Sequence, residues 1–210
     1  MIYTTLPYTC VIHSYNPRLG FLIQAVWWAR RVYNYRMQEI SRNRVYSGHI
    51  FDVDQVKVSL PDQKQKTYEL VEHPGAVVIV PVAEGEFWFV RQHRLGSHSE
   101  LLEMPAGRLE PGELPDVCAH REIREETGCA AGNIIRLGGC YTAPGYCSEY
   151  LHIFLATDLH PDPLQPDPDE FIEIVKIPFD EAYAMAERGE MPDAKTLASL
   201  LLARPHLNPR

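Results

Sequence analysis

The stretch that decides the fold is "GRLEPGELPDVCAHREIREETGC", residues 107–129. Its second half carries three glutamates, Glu122, Glu125 and Glu126, at spacings that place their side chains on one face of a helix. Like charges at these spacings destabilise a helix by about 0.2–0.5 kcal/mol per pair. Two interpretations follow. The face is either solvated and balanced by neighbouring arginines, or it is a platform for a divalent cation, since Mg²⁺ prefers carboxylate and carbonyl oxygens.

The composition is that of a soluble globular protein. The chain has 210 residues, of which 45% are hydrophobic and 23% charged, and this suits one domain or one domain plus an appendage. A net charge of −8 argues against a nucleic-acid backbone as the partner. The five cysteines form no C-x-x-C pair, which is typical of reduced thiols. We therefore expect a cytoplasmic protein that binds neither nucleic acid nor a membrane.

Residues 1–45 differ from the rest of the chain because they contain six arginines and one acid, Glu39. Their apolar run, residues 19–28, is too short to span a bilayer and is no ordinary signal peptide. Three interpretations of this extension stay open: a surface helix, a targeting presequence, or sequence upstream of the true start. The last is favoured, with Met37 as the candidate start.

Alternating apolar and polar residues predict a β-hairpin over residues 46–75, and a domain over residues 76–205 follows it. That domain begins with a second, more apolar hairpin and a short strand before Gly107. A helix over residues 114–127 ends at Gly128, and strands and two terminal helices follow. The buried stripe expected on the first helix comprises Leu114, Val117, Cys118, Ala119 and Ile123. Strands followed by segregated helices indicate an α+β sandwich.

The spacing of the fixed residues in 107–129 resembles the Nudix box, G-x5-E-x7-R-E-U-x-E-E-x-G-U, in which U is aliphatic. Only Cys129 departs, since Ile, Leu or Val is usual there. The resemblance implies an α/β/α sandwich around a mixed sheet. It also implies hydrolysis of a nucleoside diphosphate linked to another moiety, with Mg²⁺ as cofactor and Mn²⁺ as an alternative. Gly107 and Gly112 let the loop turn tightly and approach a phosphate. Glu113 and Arg121 are placed to form an ion pair that orients the glutamates.

The resemblance extends over about residues 45–203 and is closest to the ADP-ribose pyrophosphatase and ADP-sugar branch of Nudix hydrolases. It rests on "VRQHR", on "EMPAG" before the box, on "GEMPDAKT" near the C-terminus, and on Pro144 downstream of the box. In that branch the N-terminal strands swap across a two-fold axis and complete the partner's site. The resemblance therefore implies a homodimer formed through residues 46–73.

The resemblance also assigns roles to individual residues. Metal ligands are the carbonyl of Ala106 with Glu122 and Glu126, and Glu125 is a further candidate. Glu149 is the expected catalytic base. The residues expected to contact substrate are Arg94, Phe51 (stacking on adenine), Glu69, Ala106, Gly107, Pro144 and Gly145. Tyr68 replaces an arginine that is frequent in the branch, and this departure weakens the assignment of Glu69.

Three functions remain as hypotheses. The favoured one is hydrolysis of ADP-ribose to AMP and ribose 5-phosphate. The second is hydrolysis of another substrate, such as GDP-mannose, ADP-glucose or a dinucleotide. The third is a non-catalytic module that senses ADP-ribose. The complete set of box glutamates argues against the third, because a sensor has no need of a metal platform.

Overall fold

The computed structural model describes residues 36–165 and 171–207, together with the backbone of two short strands, β1 (Val11–Tyr15) and β2 (Leu22–Val26). The two strands pair antiparallel. Because β2 lies inside the apolar run, the surface-helix interpretation is wrong for those five residues. The rest of the N-terminal extension before residue 36, and residues 166–170 of the Pro/Asp-rich segment, lie outside the described residues.

The N-terminal sheet has three antiparallel strands in chain order: β3 (Gln38–Ser47), β4 (Asp52–Ser59) and β5 (Gln65–Glu72). The last two form the hairpin that the sequence pattern predicts. β3 is an additional strand that begins before the boundary expected at residue 46. It is exposed along its whole length, so no alternation of buried and exposed residues marks it in the sequence.

The central sheet contains seven strands and is mixed. In chain order they are β6 (Ala76–Ala83), β7 (Glu86–Arg94), β8 (Ser99–Glu103), β9 (Ala106–Arg108), β10 (Cys129–Tyr141), β11 (Tyr150–Pro161) and β12 (Glu173–Pro178). Their spatial order is β10-β11-β6-β7-β12, with β8 paired to β7 and β9 paired to β6. Only the β11–β6 pair is parallel among the described pairs of this sheet.

Helices cover both faces of this sheet: α1 (Pro115–Thr127) on one, and α2 (Phe179–Glu187) with α3 (Ala194–Leu207) on the other. The alternation along β6 explains the arrangement, since successive side chains point to opposite faces. Val77 joins a cluster with residues of α1, whereas Val78 joins the cluster that contains Leu200 of α3. The α/β/α sandwich of the α+β class is thereby confirmed. No helix in the described ranges has the length and apolar character needed to cross a bilayer.

Helix α1 begins after Leu114, has proline in its first turn, and ends at Gly128 with φ 71°, a conformation that glycine adopts without strain. Its bounds agree with the sequence prediction, but its buried stripe does not. Leu114 and Val117 are exposed, so the prediction that both are buried is wrong. The buried residues are Cys118, Ala119, Glu122, Ile123, Glu126 and Thr127. The helix therefore turns two glutamates inward and two apolar side chains outward.

A chain that begins at Met37 keeps β3 whole and loses only β1, β2 and the residues around them. Among the described strands, β1 and β2 pair only with each other. We therefore expect the melting temperature and kcat/KM of the shortened chain to equal those of the full chain. A chain that begins at Asp52 is the control, because removal of β3 leaves a two-stranded ribbon that should melt earlier. A large loss of solubility or activity on removal of residues 1–36 would contradict the expectation.

Candidate active site

The acidic face of α1 lies against the short strand β9. The N–H of Ala106 donates a hydrogen bond to Oε2 of Glu126 at 3.1 Å. The next residue, Gly107, lies directly beneath Glu122, because a Cβ at position 107 would be 1.8 Å from the carboxylate carbon of that glutamate. Only glycine fits here while the carboxylate of Glu122 keeps this position. The backbone of residues 106 and 107 and two carboxylates of α1 therefore form one site.

The burial of these carboxylates excludes the solvated-face interpretation for two of the three glutamates. Glu122 and Glu126 are 8% and 6% exposed, whereas Glu125 is half-buried. Removing a carboxylate from water is costly unless a cation or strong hydrogen bonds compensate. The chain thus holds two carboxylates where positive charge is needed to offset their lost hydration.

Arg121 supplies part of that charge. Its Nε and Nη2 donate to the two oxygens of Glu113 at 3.0 Å each, which is the ion pair that the spacing predicts. Its Nη1 lies 2.6 Å from Glu122 and 2.8 Å from Glu125. The hydrogen bonds from Arg121 lower the pKa of Glu113 to about 2, although burial opposes the shift. The same carboxylate raises the pKa of Arg121, so both groups stay ionised and tie the loop to the helix.

The donor atoms fit a hard divalent cation. In the described ranges, no three Asp, Glu, His or Cys side chains converge as a complete metal site by themselves. The candidate set adds a backbone oxygen, the carbonyl of Ala106, to the carboxylates of Glu122, Glu125 and Glu126. Oxygen donors of this kind are those that Mg²⁺ and Mn²⁺ prefer. Two of the carboxylates contact Arg121, so they would have to exchange this partner for the cation on ligation.

A cleft of about 440 Å³ opens beside β9. Four residues that the sequence assigned to the site line it: Arg94, Ala106, Gly107 and Glu149. The other lining residues were not singled out from the sequence, and these are His73, Ala76, Arg108, Thr142, Leu151, Asp193, Ala194 and Lys195. Asp193, Ala194 and Lys195 stand in the "GEMPDAKT" segment, so the branch resemblance held the signal that could have found them.

Two cations in the wall of this first cleft share one buried carboxylate. Glu103 is 1% exposed and accepts hydrogen bonds from Nε and Nη2 of Arg94 at 2.9 and 2.8 Å. Lys195 pairs with the same carboxylate and, at 3.0 Å, with Asp193. Burial acts to raise the pKa of Glu103, but Arg94 and Lys195 outweigh it and the pKa lies below its ordinary value. The buried carboxylate thus fixes both cations at the cleft.

Glu149 stands next to His73 in the first cleft, with 3.5 Å between Oε1 of the glutamate and Nδ1 of the imidazole. Burial lowers the pKa of His73, and the charge of Arg108 lowers it further, while Glu149 opposes both. Nδ1 of His73 also accepts the N–H of Gly75 at 3.1 Å. This acceptor role favours the tautomer with the proton on Nε2.

The loop before Glu149, residues 142–148, is joined to β5. Val71 donates its N–H to the carbonyl of Tyr146 at 2.8 Å and accepts the N–H of Ser148 at 2.9 Å. Pro144 and Gly145 are exposed and line neither of the two clefts described here. The expected turn is present, but its two residues do not reach the site in this structure.

A second cleft, of about 540 Å³, lies between the β3–β4 turn and the loop that follows β9. Phe51 lines it together with Ile50, Pro74, Leu109 and Pro111, so the aromatic ring faces a partly apolar space. The remaining lining residues are Gly48, His49, Asp52, Glu72, Arg108 and Glu110. Glu69 lies exposed on β5 and lines neither cleft, so the structure does not bring it to the other candidate residues.

Comparison with known proteins identifies the family. The family model for the NUDIX domain matches residues 71–200. The chain belongs to the Nudix family. It is 38% identical over 160 residues to an ADP-ribose pyrophosphatase of Bacillus subtilis (strain 168), covering 75% of this chain and 86% of the relative. It is 32% identical over 164 residues to a methanol dehydrogenase activator of Bacillus methanolicus, covering 77% and 89%.

A solved structure agrees with this assignment. The crystal structure of an ADP compounds hydrolase superposes with a TM-score of 0.74 at 27% identity, over 82% of this chain and 94% of the other. The fold and the family that the spacing of residues 107–129 predicts are thereby confirmed.

Replacing Gly107 with alanine tests the contact between β9 and α1. The new methyl group would overlap the carboxylate of Glu122, which is the end of a flexible side chain and can swing away. We expect the melting temperature to change little and the metal-dependent kcat to fall by at least about 10²-fold, a typical effect of displacing a catalytic group by 1 Å. Gly96→Ala is the matched control, since a Cβ there meets nothing within 4 Å. Equal kcat for the two variants would contradict the assignment of Gly107 and Glu122 to the active site.

Replacing Glu113 with glutamine tests the ion pair with Arg121. Because the folded pKa of about 2 lies below the ordinary value of 4.5, the pair contributes stability above 4.5 that is lost as the pH falls towards 2. We expect Glu113→Gln to lower the free energy of unfolding by about 1–3 kcal/mol at neutral pH. Urea unfolding in EDTA should show this difference shrinking between pH 4.5 and about 2. A difference that does not depend on pH would show that the pair adds no charge-dependent stability.

Proposed function

We propose that this chain hydrolyses the diphosphate of ADP-ribose to AMP and ribose 5-phosphate, with Mg²⁺ as cofactor and Mn²⁺ as an alternative. One observation carries the proposal. The buried glutamates Glu122 and Glu126 of the Nudix box contact Ala106 and Gly107. Those two backbone residues line a cleft together with the cations Arg94 and Lys195. Paired negative and positive groups at one cleft suit a substrate whose phosphates bind a divalent cation and basic side chains at the same time.

Different residues of the chain would bind the cation and the phosphates. Glu122, Glu125, Glu126 and the carbonyl of Ala106 would hold the cation. When bound, a divalent cation neutralises the diphosphate, polarises its P–O bonds and lowers the pKa of an attacking water. Gly107 lets the backbone approach a phosphate. Lining the same cleft, Arg94 is held by Glu103 in a position from which its remaining N–H groups can orient a phosphate oxygen.

Two observations support ADP-ribose as the substrate. One relative is named an ADP-ribose pyrophosphatase, and the superposed crystal structure is of an ADP compounds hydrolase. Phe51 lines a second cleft with enough apolar surface for an adenine ring to stack on it. The buried carboxylates argue against a sensing module, because binding without cleavage does not require them.

The proposed enzyme is a homodimer. All ten residues of β3 are exposed, and the apolar side chains of Ile40, Val45 and Tyr46 among them are 47–54% exposed. An open edge strand that carries exposed apolar side chains favours association with a partner. A second copy of this chain is the proposed partner, with β3 at the interface. The cleft of Phe51 does not need the second copy, because residues 108–111 of the same chain also line it.

The proposed compartment is the cytoplasm. The four cysteines in the described ranges are all free thiols: Cys118, Cys129, Cys140 and Cys147. Burial raises the pKa of Cys118, which makes its thiol unreactive. Free cysteines of this kind support a reducing environment.

The function is tested with a panel of ADP-ribose, ADP-glucose, GDP-mannose and a dinucleotide, supplied with Mg²⁺ and followed by phosphate release after phosphatase coupling. We expect the highest kcat/KM for ADP-ribose and near-complete loss of hydrolysis in Glu126→Gln. Glu187→Gln, an exposed glutamate of α2, is the control and should keep full activity. Equal rates for Glu126→Gln and the control would refute the metal assignment, and a higher kcat/KM for another member of the panel would replace ADP-ribose.

Glu149 is the proposed general base, since it lines the same cleft as Ala106 and lies outside the metal-binding helix. A base within hydrogen-bond reach accelerates proton removal by about 10²–10⁴-fold. We expect Glu149→Gln to lower kcat by at least about 10²-fold with KM little changed, as for an interaction made in the transition state. Cleavage in ¹⁸O-labelled water should place the label on AMP. Wild-type kcat in the variant would move the role to Glu125.

The dimer is tested at β3. We expect Ile40→Lys or Val45→Lys to yield a monomer in sedimentation velocity, because each places a charge in the proposed apolar interface. Leu95→Lys, at an 82% exposed position in the loop after β7, is the control and should sediment as the wild-type protein does. A wild-type protein that is a fully active monomer at micromolar concentration would refute the proposed assembly.

A further inference from the structure

Among the described residues, Arg108 alone lines both the first and the second cleft. It directly follows Gly107 at the end of β9. Its backbone carbonyl accepts hydrogen bonds from Nη2 of Arg121 at 3.2 Å and from Sγ of Cys118 at 3.5 Å, which fixes the residue to α1. Its side chain reaches away from the helix, and Nη1 donates to the carbonyl of His49 in the β3–β4 turn. The residue therefore connects the acidic helix to the turn that carries Phe51.

The charge of Arg108 differs from that of the other cations at the site. Arg94 and Lys195 share the buried Glu103, and Arg121 is held by the carboxylates of its own loop and helix. Within residues 36–165 and 171–207, no carboxylate lies at ion-pair distance from the guanidinium of Arg108; its one described hydrogen bond goes to a backbone oxygen. Arginine has five N–H donors, so most of its hydrogen-bonding capacity is available to a ligand.

The position of this charge matches a substrate with an anionic centre and two bulky ends. Arg108 is half-buried, and its charge is felt inside the first cleft, where it contributes to the lowered pKa of His73. One end of a nucleoside diphosphate derivative would occupy the partly apolar second cleft, and the other end would occupy the first. The phosphates would then pass the junction of the two clefts, where Arg108 lies.

We propose that Arg108 binds a phosphate oxygen of the substrate at this junction and thereby sets the position of the diphosphate between the two clefts. The inference rests on the proposed function and deepens it, because it names the residue that joins the base subsite to the catalytic cleft. A planar guanidinium can keep its bond to His49 and direct other N–H groups to the phosphate. Arg108 is in this sense a substrate-binding residue and not a ligand of the metal.

The test compares Arg108→Gln, Arg108→Lys and Arg108→Ala with the wild-type protein. Glutamine keeps a donor that can bond the His49 carbonyl but has no charge, while lysine keeps the charge. We expect Gln and Ala to raise the KM for ADP-ribose by about 10- to 100-fold, the range for a charged hydrogen bond, with kcat within a few-fold. Lysine should recover part of the loss. The KM of the wild-type protein should rise more steeply with salt than that of Arg108→Gln.

The control is Arg91→Ala, which removes a half-buried arginine that pairs with Glu173 on β12, and it should leave KM unchanged. Wild-type KM in Arg108→Gln together with a loss in Arg108→Ala would show that the residue only ties the turn, and it would overturn the inference. The melting temperatures show whether each variant folds. If Arg108→Ala does not, the Gln and Lys variants decide.

Binding separates this inference from the proposed function. If the wild-type protein does not hydrolyse ADP-ribose, the proposed function fails, and calorimetric titration with ADP and Mg²⁺ then tests Arg108 alone. We expect Arg108→Gln to weaken ADP binding by the same factor of about 10–100. Equal affinity in the two proteins, or no binding to either, would overturn the role of Arg108.

Discussion

The contact between Gly107 and the carboxylate of Glu122 sets how closely β9 approaches α1, and the rest of the site depends on that distance. Any side chain at position 107 would push the glutamate out of the space that buries it. The neighbouring hydrogen bond from Ala106 to Glu126 repeats the contact one turn along the helix. Glu122 can stay buried because Arg121 pairs with it and, through Glu113, joins the loop to the helix. Glu126 accepts the N–H of Ala106 instead. The carboxylate of Glu122 therefore takes part both in the packing against Gly107 and in the ion pair with Arg121, so a change in one contact alters the other.

A buried carboxylate also positions the cations that line the first cleft. The carboxylate of Glu103 has almost no exposed surface, yet it determines where Arg94 and Lys195 lie. A nearby hydrogen bond, from the N–H of Met104 to Oγ1 of Thr196 at 2.8 Å, joins the start of α3 to the short link between β8 and β9. The two walls of the site are thus connected through residues that need not touch a ligand themselves.

Sequence reasoning found the family, the sandwich and α1 because the box has fixed residues at fixed spacings. It failed where an amphipathic pattern was used without regard to function. Leu114 and Val117 were assigned to the core on hydrophobicity, whereas Glu122 and Glu126 occupy the buried face. A stripe of apolar residues cannot reveal that carboxylates are buried, since periodicity counts every charge as a surface residue. β3 escaped detection for the opposite reason, because a strand that the chain itself leaves exposed has no alternation to detect. Arg108 and His73 come together with Glu149 only through β-sheet pairing, which local spacing does not encode.

The hydrogen bonds between Val71 and the loop that precedes Glu149 join a functional loop to the N-terminal sheet. A loop without hydrogen bonds to another element could open on its own, and its free energy of opening would be close to that of any exposed turn. This loop contributes donors and acceptors to the end of β5, so it cannot separate without breaking backbone bonds that belong to that strand. The amide protons of Val71 and Ser148 should consequently exchange with solvent at similar rates, as parts of one cooperative unit. The motional freedom of the carboxylate at position 149 is then governed by how firmly the N-terminal sheet is held together.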